Sequence, residues 1–146
     1  MIGLNNITIL VINNNLDEID LIAKIIDIQQ WKVNFINIKE VNEALNYVHK
    51  KGKYQDCETP SLILLDFDLP KKSGLEILKE IKTNPLIKYI PVIILTSSQD
   101  DNEMFEAYEY NANAYIPKPA DTDKFKEYIC TFKEFWFDSV QLPKSK

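Results

Sequence analysis

Three stretches of this chain contain almost nothing but apolar, mostly branched residues: Ile7-Thr8-Ile9-Leu10-Val11-Ile12, Leu62-Ile63-Leu64-Leu65 and Pro91-Val92-Ile93-Ile94-Leu95. Each is too short for a helix and too uniformly apolar for a strand with one wet face, so each reads as a strand covered on both sides. Strands of that kind belong to parallel sheets whose two faces are closed by helices.

The intervening segments supply those helices. From Asp17 onward Ile19, Leu21, Ile22, Ile25, Ile26 and Ile28 recur at helical spacing, with Asp17, Glu18 and Asp20 in the first turn, where the helix dipole favours acids. Lys32 to Asn37 alternates like an edge strand, and Val41 to Lys51 carries Ala44, Leu45 and Val48 on one helical face before Gly52 ends it. Gly74 to Thr83 is a third helix, stopped by Asn84-Pro85; Asn102 to Tyr110 is a fourth. Ala114-Tyr115-Ile116 is a short strand, and Thr122 to about Phe137 a long amphipathic helix. Strands alternating with helices predict one doubly wound α/β domain over residues 1–140, a five-stranded parallel sheet with helices on both faces. The polar, proline-containing stretch 141–146 predicts a flexible tail.

Composition narrows the function. A formal charge of −5 and no basic stripe argue against nucleic acid as a partner; Lys50, Lys51 and Lys53 sit where a helix end places cations. Cys57, Cys130 and the single His49 have no metal-ligand spacing, so neither zinc nor thiol chemistry is indicated. With no leader pattern at Met1-Ile2-Gly3-Leu4 and no run of about 18 apolar residues, a cytoplasmic protein without a membrane partner is expected.

Ligands of open α/β sheets bind beyond the carboxyl ends of the strands, so the residues that follow each apolar run are the informative ones: Asn13-Asn14, Asp66, Thr96 and Lys118. An aspartate, a hydroxyl and an amine gathered there can accept a phosphoryl group, hydrogen-bond its oxygens and neutralise its charge. Singly, each has a plainer reading: the polar end of a strand, a helix cap, a surface amine.

Together they resemble the receiver domain of two-component response regulators, from about Ile7 to Phe137. The segment Leu64-Leu65-Asp66-Phe67-Asp68-Leu69-Pro70-Lys71-Lys72-Ser73-Gly74 is similar to that family's phosphoacceptor segment, with Asp66 as acceptor. Thr96 matches the switch hydroxyl, Lys118-Pro119 the lysine and proline after the last strand, and Tyr115 the aromatic switch position. The insert from Gly52 to Pro60, the Leu-Pro-Lys-Lys stretch and the late Phe135-Trp136 are most similar to single-domain regulators that partner phytochrome-type histidine kinases. The resemblance implies a flavodoxin-like sheet of strand order 2-1-3-4-5 and a stand-alone, non-enzymatic signalling protein that accepts a phosphoryl group from a sensor histidine kinase. It also implies a homodimer through the fourth helix, fifth strand and fifth helix, for which Phe132, Phe135 and Trp136 are the candidate face.

One departure stands out. The family carries an acidic pair after the first strand that holds Mg²⁺ with the acceptor aspartate and a backbone carbonyl, here that of Asp68. In this chain the positions are read as Asn13 and Asn14, and neutral amides attract a hard cation far less than carboxylates do, so weak or absent Mg²⁺ binding is expected. Asp17, Glu18 and Asp20 read as first-turn helix acids rather than substitute ligands. Two rivals follow: a pseudo-receiver that works as an interaction module without phosphorylation, and a haloacid-dehalogenase-like phosphatase using Asp66-Phe67-Asp68. The latter needs its motif after the first strand and a later acidic pair, neither of which is found. A phosphate loop is excluded because Gly3, Gly52 and Gly74 are scattered.

Overall fold

The alternation of side chains along each apolar run decides the architecture. In the computed structural model, which describes residues 7–70 and 73–143, the chain forms β1 (Ile7–Ile12), α1 (Leu16–Ile28), β2 (Val33–Ile38), α2 (Val41–Val48), β3 (Leu62–Asp66), α3 (Ser73–Lys82), β4 (Val92–Thr96), α4 (Asp101–Glu109), β5 (Ala114–Pro117) and α5 (Thr122–Lys133). The strands make one sheet in the order β2-β1-β3-β4-β5, every neighbouring pair parallel. The expected fold class and strand order are therefore found.

Because successive residues of a strand point to opposite faces, each run supplies two cores. Leu10, Ile12, Ile63, Leu65 and Ile94 pack with Ala44 and Tyr47 of α2, Ile77, Leu78 and Ile81 of α3 and Ala107 of α4. Ile9, Val11, Leu62, Leu64, Ile93 and Leu95 pack on the other side with Ile22 and Ile25 of α1 and Phe125, Ile129 and Phe132 of α5. Burying one such side chain contributes about 1.5–3 kcal/mol, so the central strands hold the sheet from both faces at once.

Several boundaries differ from expectation for local reasons. Helix α2 ends at Val48, and Lys50, at φ 54°, takes the left-handed residue there; Gly52, at φ 59°, opens a 3₁₀ turn over Gly52–Tyr54 instead. After Lys133 the last helix widens into a π-helical turn, Glu134–Ser139. That turn brings Phe137 edge-on to Trp31 and Phe132, with ring centroids 6.4 and 5.9 Å apart. The expected tail is partly docked: Leu142 packs against the α1/α5 core. Residues 1–6 of the expected domain, Lys71 and Lys72 of the motif, and 144–146 of the expected tail lie outside the described residues. Among the described residues no helix is long and apolar enough to cross a membrane.

Strand register then brings the polar ends together. Ile12 pairs with Leu65, Asp66 with Leu95 and Thr96 with Pro117, so Asn13, Asp66, Thr96 and Lys118 fall on one edge. The segment after Asp66 is anchored by Gly74, where an added Cβ would lie 2.5 Å from Cδ1 and 3.1 Å from Cα of Phe67. Gly74→Ala is expected to destabilise the fold by about 1–3 kcal/mol through overpacking, read as a lower urea midpoint at unchanged slope. The loss should shrink when Phe67→Ala removes the ring.

Candidate functional site

Asp66 ends β3 with its side chain only 2% exposed, and a buried carboxylate requires partners. Its Oδ1 accepts the backbone N–H of Asp68 at 2.8 Å and lies 3.0 Å from Lys118 Nζ. Lys118 is placed by its own backbone, whose N–H donates to Thr96 O at 2.6 Å at the end of the β4/β5 ladder. From there the ammonium reaches three carboxylates: Asp66, Asp68 Oδ2 at 2.8 Å and Glu18 Oε1 at 2.9 Å.

The electrostatics follow from one ammonium serving three anions. Burial works to lower the Lys118 pKa, but Asp68, Glu18 and Asp66 outweigh it and hold the amine above the usual lysine range. Burial likewise pushes Asp66 up, and neither the Asp68 N–H nor Lys118 fully reverses this. Asp68 is less enclosed; burial acts to raise it, and its bonds from Lys118 and the Ser97 N–H prevail and depress it.

The three asparagines after β1 have distinct tasks. Asn13, 1% exposed, accepts the Asn15 N–H on its Oδ1 at 2.8 Å, and Asn15 caps α1 by accepting the Glu18 N–H at 3.1 Å. The Asn13 amide nitrogen donates to Glu18 Oε1 at 3.0 Å. Asn14 is exposed in the turn. Of the two positions read as the acidic pair, only Asn13 therefore joins the site, because β1 delivers one residue inward and the Asx turn carries the next outward. The amide turns its N–H₂ towards the pocket, and the Lys118 ammonium rests against Asp66. Among the described residues no three His, Cys, Asp or Glu side chains form a metal-holding group. The carboxylate oxygens at this edge are those of Glu18, Asp66 and Asp68, all of them facing the Lys118 ammonium, while Asn13 adds an amide and no charge.

On the far side, Thr96 is fully buried, its hydroxyl 3.2 Å from Glu103 Oε1 and 3.4 Å from Asp68 Oδ1. Tyr115 donates its hydroxyl to the same Glu103 oxygen at 2.8 Å; burial and this carboxylate raise the phenol pKa. Asp68 accepts the Ser97 N–H on both oxygens, at 3.2 and 3.1 Å.

Asp66, Thr96 and Lys118 thus meet as the sequence suggested, with Tyr115 one carboxylate away. Glu18 and Glu103 were not expected to join. Glu18 stands three residues after the capping Asn15, the spacing of a capping box, which explains why it reads as a helix acid. It reaches Lys118 instead. Of the candidate dimer face, Phe132 is buried at 7% and belongs to the core, Trp136 packs partly against it, and Phe135 is 54% exposed, as are Tyr128 at 41%, Tyr108 at 46% and Phe105 at 62%. Phe132 follows Phe125 and Ile129 on the inward stripe of α5, which is why it turns in.

Lys118→Met leaves three carboxylates facing one another, and removing one partner of a buried ion pair costs about 3–5 kcal/mol. The depressed Asp68 contributes stability above its unfolded pKa and loses it as pH falls through its folded one; Lys118 contributes below the ordinary lysine range for as long as the carboxylates it serves stay ionised. The difference between wild type and Lys118→Met, measured by urea unfolding, is expected to be largest near neutrality and to shrink as the carboxylates protonate in acid.

The family model "Response regulator receiver domain" matches residues 9–130. Response regulator Rcp1 of Synechocystis sp. is 31% identical over 135 residues, covering 92% of each chain. The phosphorylated cyanobacterial phytochrome response regulator RcpA superposes with a TM-score of 0.90 at 32% identity, over 95% of this chain and 99% of that one. The Mn²⁺-bound form of Rcp1 gives 0.88 at 31% identity, over 93% and 98%. With the parallel 2-1-3-4-5 sheet and the Asp66–Thr96–Lys118 edge, these matches show that the chain belongs to the response regulator receiver family of two-component signalling proteins.

Proposed function

We propose that Asp66 is the phosphoacceptor of this receiver and that a sensor histidine kinase supplies the phosphoryl group. The observation that carries this is the Lys118 ammonium 3.0 Å from the buried Asp66 Oδ1. With Oδ1 held by Lys118 and the Asp68 N–H, Oδ2 attacks phosphorus. The new O–P bond forms as the P–N bond to the donor histidine breaks, its electron pair returning to the imidazole. Lys118, the Thr96 hydroxyl and the Ser97 N–H stabilise the charge on the transferred oxygens.

Rcp1 binds Mn²⁺ in the structure named above. For this chain weak divalent binding is the reading, since Asn13 presents an amide donor where a carboxylate would attract the ion. Incubation with acetyl phosphate, read by intact mass, is expected to add one phosphoryl group to wild type and none to Asp66→Asn. Saturating Mg²⁺ should change the rate by less than about three-fold, and Asn13→Asp should restore a strong magnesium dependence. No added mass at any magnesium concentration sinks the phosphoacceptor reading and favours the phosphorylation-independent module, which Asn13 also supports.

Phe135 and Tyr128, which line one surface groove with Ile116 and Trp136, support self-association through α4, β5 and α5, where Phe105 and Tyr108 of α4 are also exposed. Sedimentation is expected to show a dimer that Phe135→Asp disperses; a wild-type monomer at all concentrations would overturn this.

A further inference from the structure

An ammonium has three hydrogens, and Lys118 contacts three carboxylates, those of Glu18, Asp66 and Asp68. Asp68 takes a hydrogen bond from the ammonium, at 2.8 Å, and Glu18 and Asp66 complete its ion-pair shell. The Ser97 N–H, the backbone donor next to Thr96, is taken by Asp68 as well, and the Thr96 hydroxyl lies within 3.4 Å of the same carboxylate. One side chain thus sits on the lysine, the amide and the hydroxyl that converge beside Asp66. Those are the donors an oxyanion attached to Asp66 would use.

We propose that the Asp68 carboxylate is a built-in anion that occupies the phosphoryl position of the unmodified protein, so that an incoming phosphoryl group must displace it. The inference rests on the phosphoacceptor reading for its kinetic consequence, although the occupancy itself does not depend on it. Of the three carboxylates on Lys118, Asp68 is the one able to leave: its side chain is 30% exposed, against 20% for Glu18 and 2% for Asp66. Glu18 is also tied by Asn13, and Asp66 is fixed in the strand. A second anion would compete with Asp68 for the Lys118 ammonium and the Ser97 N–H, and like charges at that distance repel. Asp68 therefore raises the barrier to phosphoryl transfer and, by returning to the donors, favours the empty state.

The test compares wild type, Asp68→Asn and Asp68→Ala. With acetyl phosphate, Asp66 oxygen attacks phosphorus and acetate leaves; the initial rate by intact mass is expected to rise about ten-fold in Asp68→Ala, the effect of removing one charge-assisted competitor, with Asp68→Asn between the two. A rate in Asp68→Ala equal to or below wild type overturns the proposal. If no variant gains mass, the phosphoacceptor reading fails and a second readout decides the occupancy alone. Amide hydrogen exchange at Ser97 should be about ten-fold faster in Asp68→Ala than in wild type, while Phe67, bonded to Leu95 O at 2.8 Å, is unchanged. Equal exchange at Ser97 overturns it.

Discussion

The Lys118 ammonium is the point at which separate parts of the chain become one site. Its three carboxylates come from α1, from the end of β3 and from the turn beyond β3, while its own position is set by a backbone bond to Thr96 on β4. A charge placed among three opposite charges in a half-buried setting resists removal far more than a surface pair does. The sheet edge and the first helix are accordingly held by one side chain, and the pocket's geometry cannot be altered at one partner without freeing a donor for the others.

The apolar runs made the fold readable because a strand buried on both faces has few alternatives. The same runs ended at Asp66 and Thr96, so the site's position was readable too. What resisted reading depends on side-chain direction. Glu18 looked like an acid at a helix start, which it is, but its carboxylate extends past the cap to Lys118. Asn13 and Asn14 looked alike in sequence, and only the turn geometry separates a buried residue from an exposed one. Phe132 and Phe135 sit in one aromatic stretch, yet the inward stripe of α5 takes the first into the core. In sequence Asp68 offers a backbone carbonyl two residues past the acceptor, whereas in the fold its side chain makes the contacts to Lys118 and Ser97.

Tyr115 illustrates how the site connects to a surface. Its ring lies edge-on to Phe67, the residue after Asp66, at 6.3 Å, and tilted against Tyr108 of α4 at the same distance. Its hydroxyl is tied to Glu103 at the start of α4. A shift in the turn after β3 therefore meets a packed aromatic row leading to α4 and β5, the part of the surface where Tyr108 and Phe105 are exposed.

The Thr96 hydroxyl sits between these two regions, with Asp68 on one side and Glu103 on the other, and it already accepts the Ser98 N–H at 3.0 Å. A threonine has a single hydroxyl hydrogen to give. At any instant at most one of these two carboxylates receives it, so a hydrogen bond to Asp68 and one to Glu103 exclude each other.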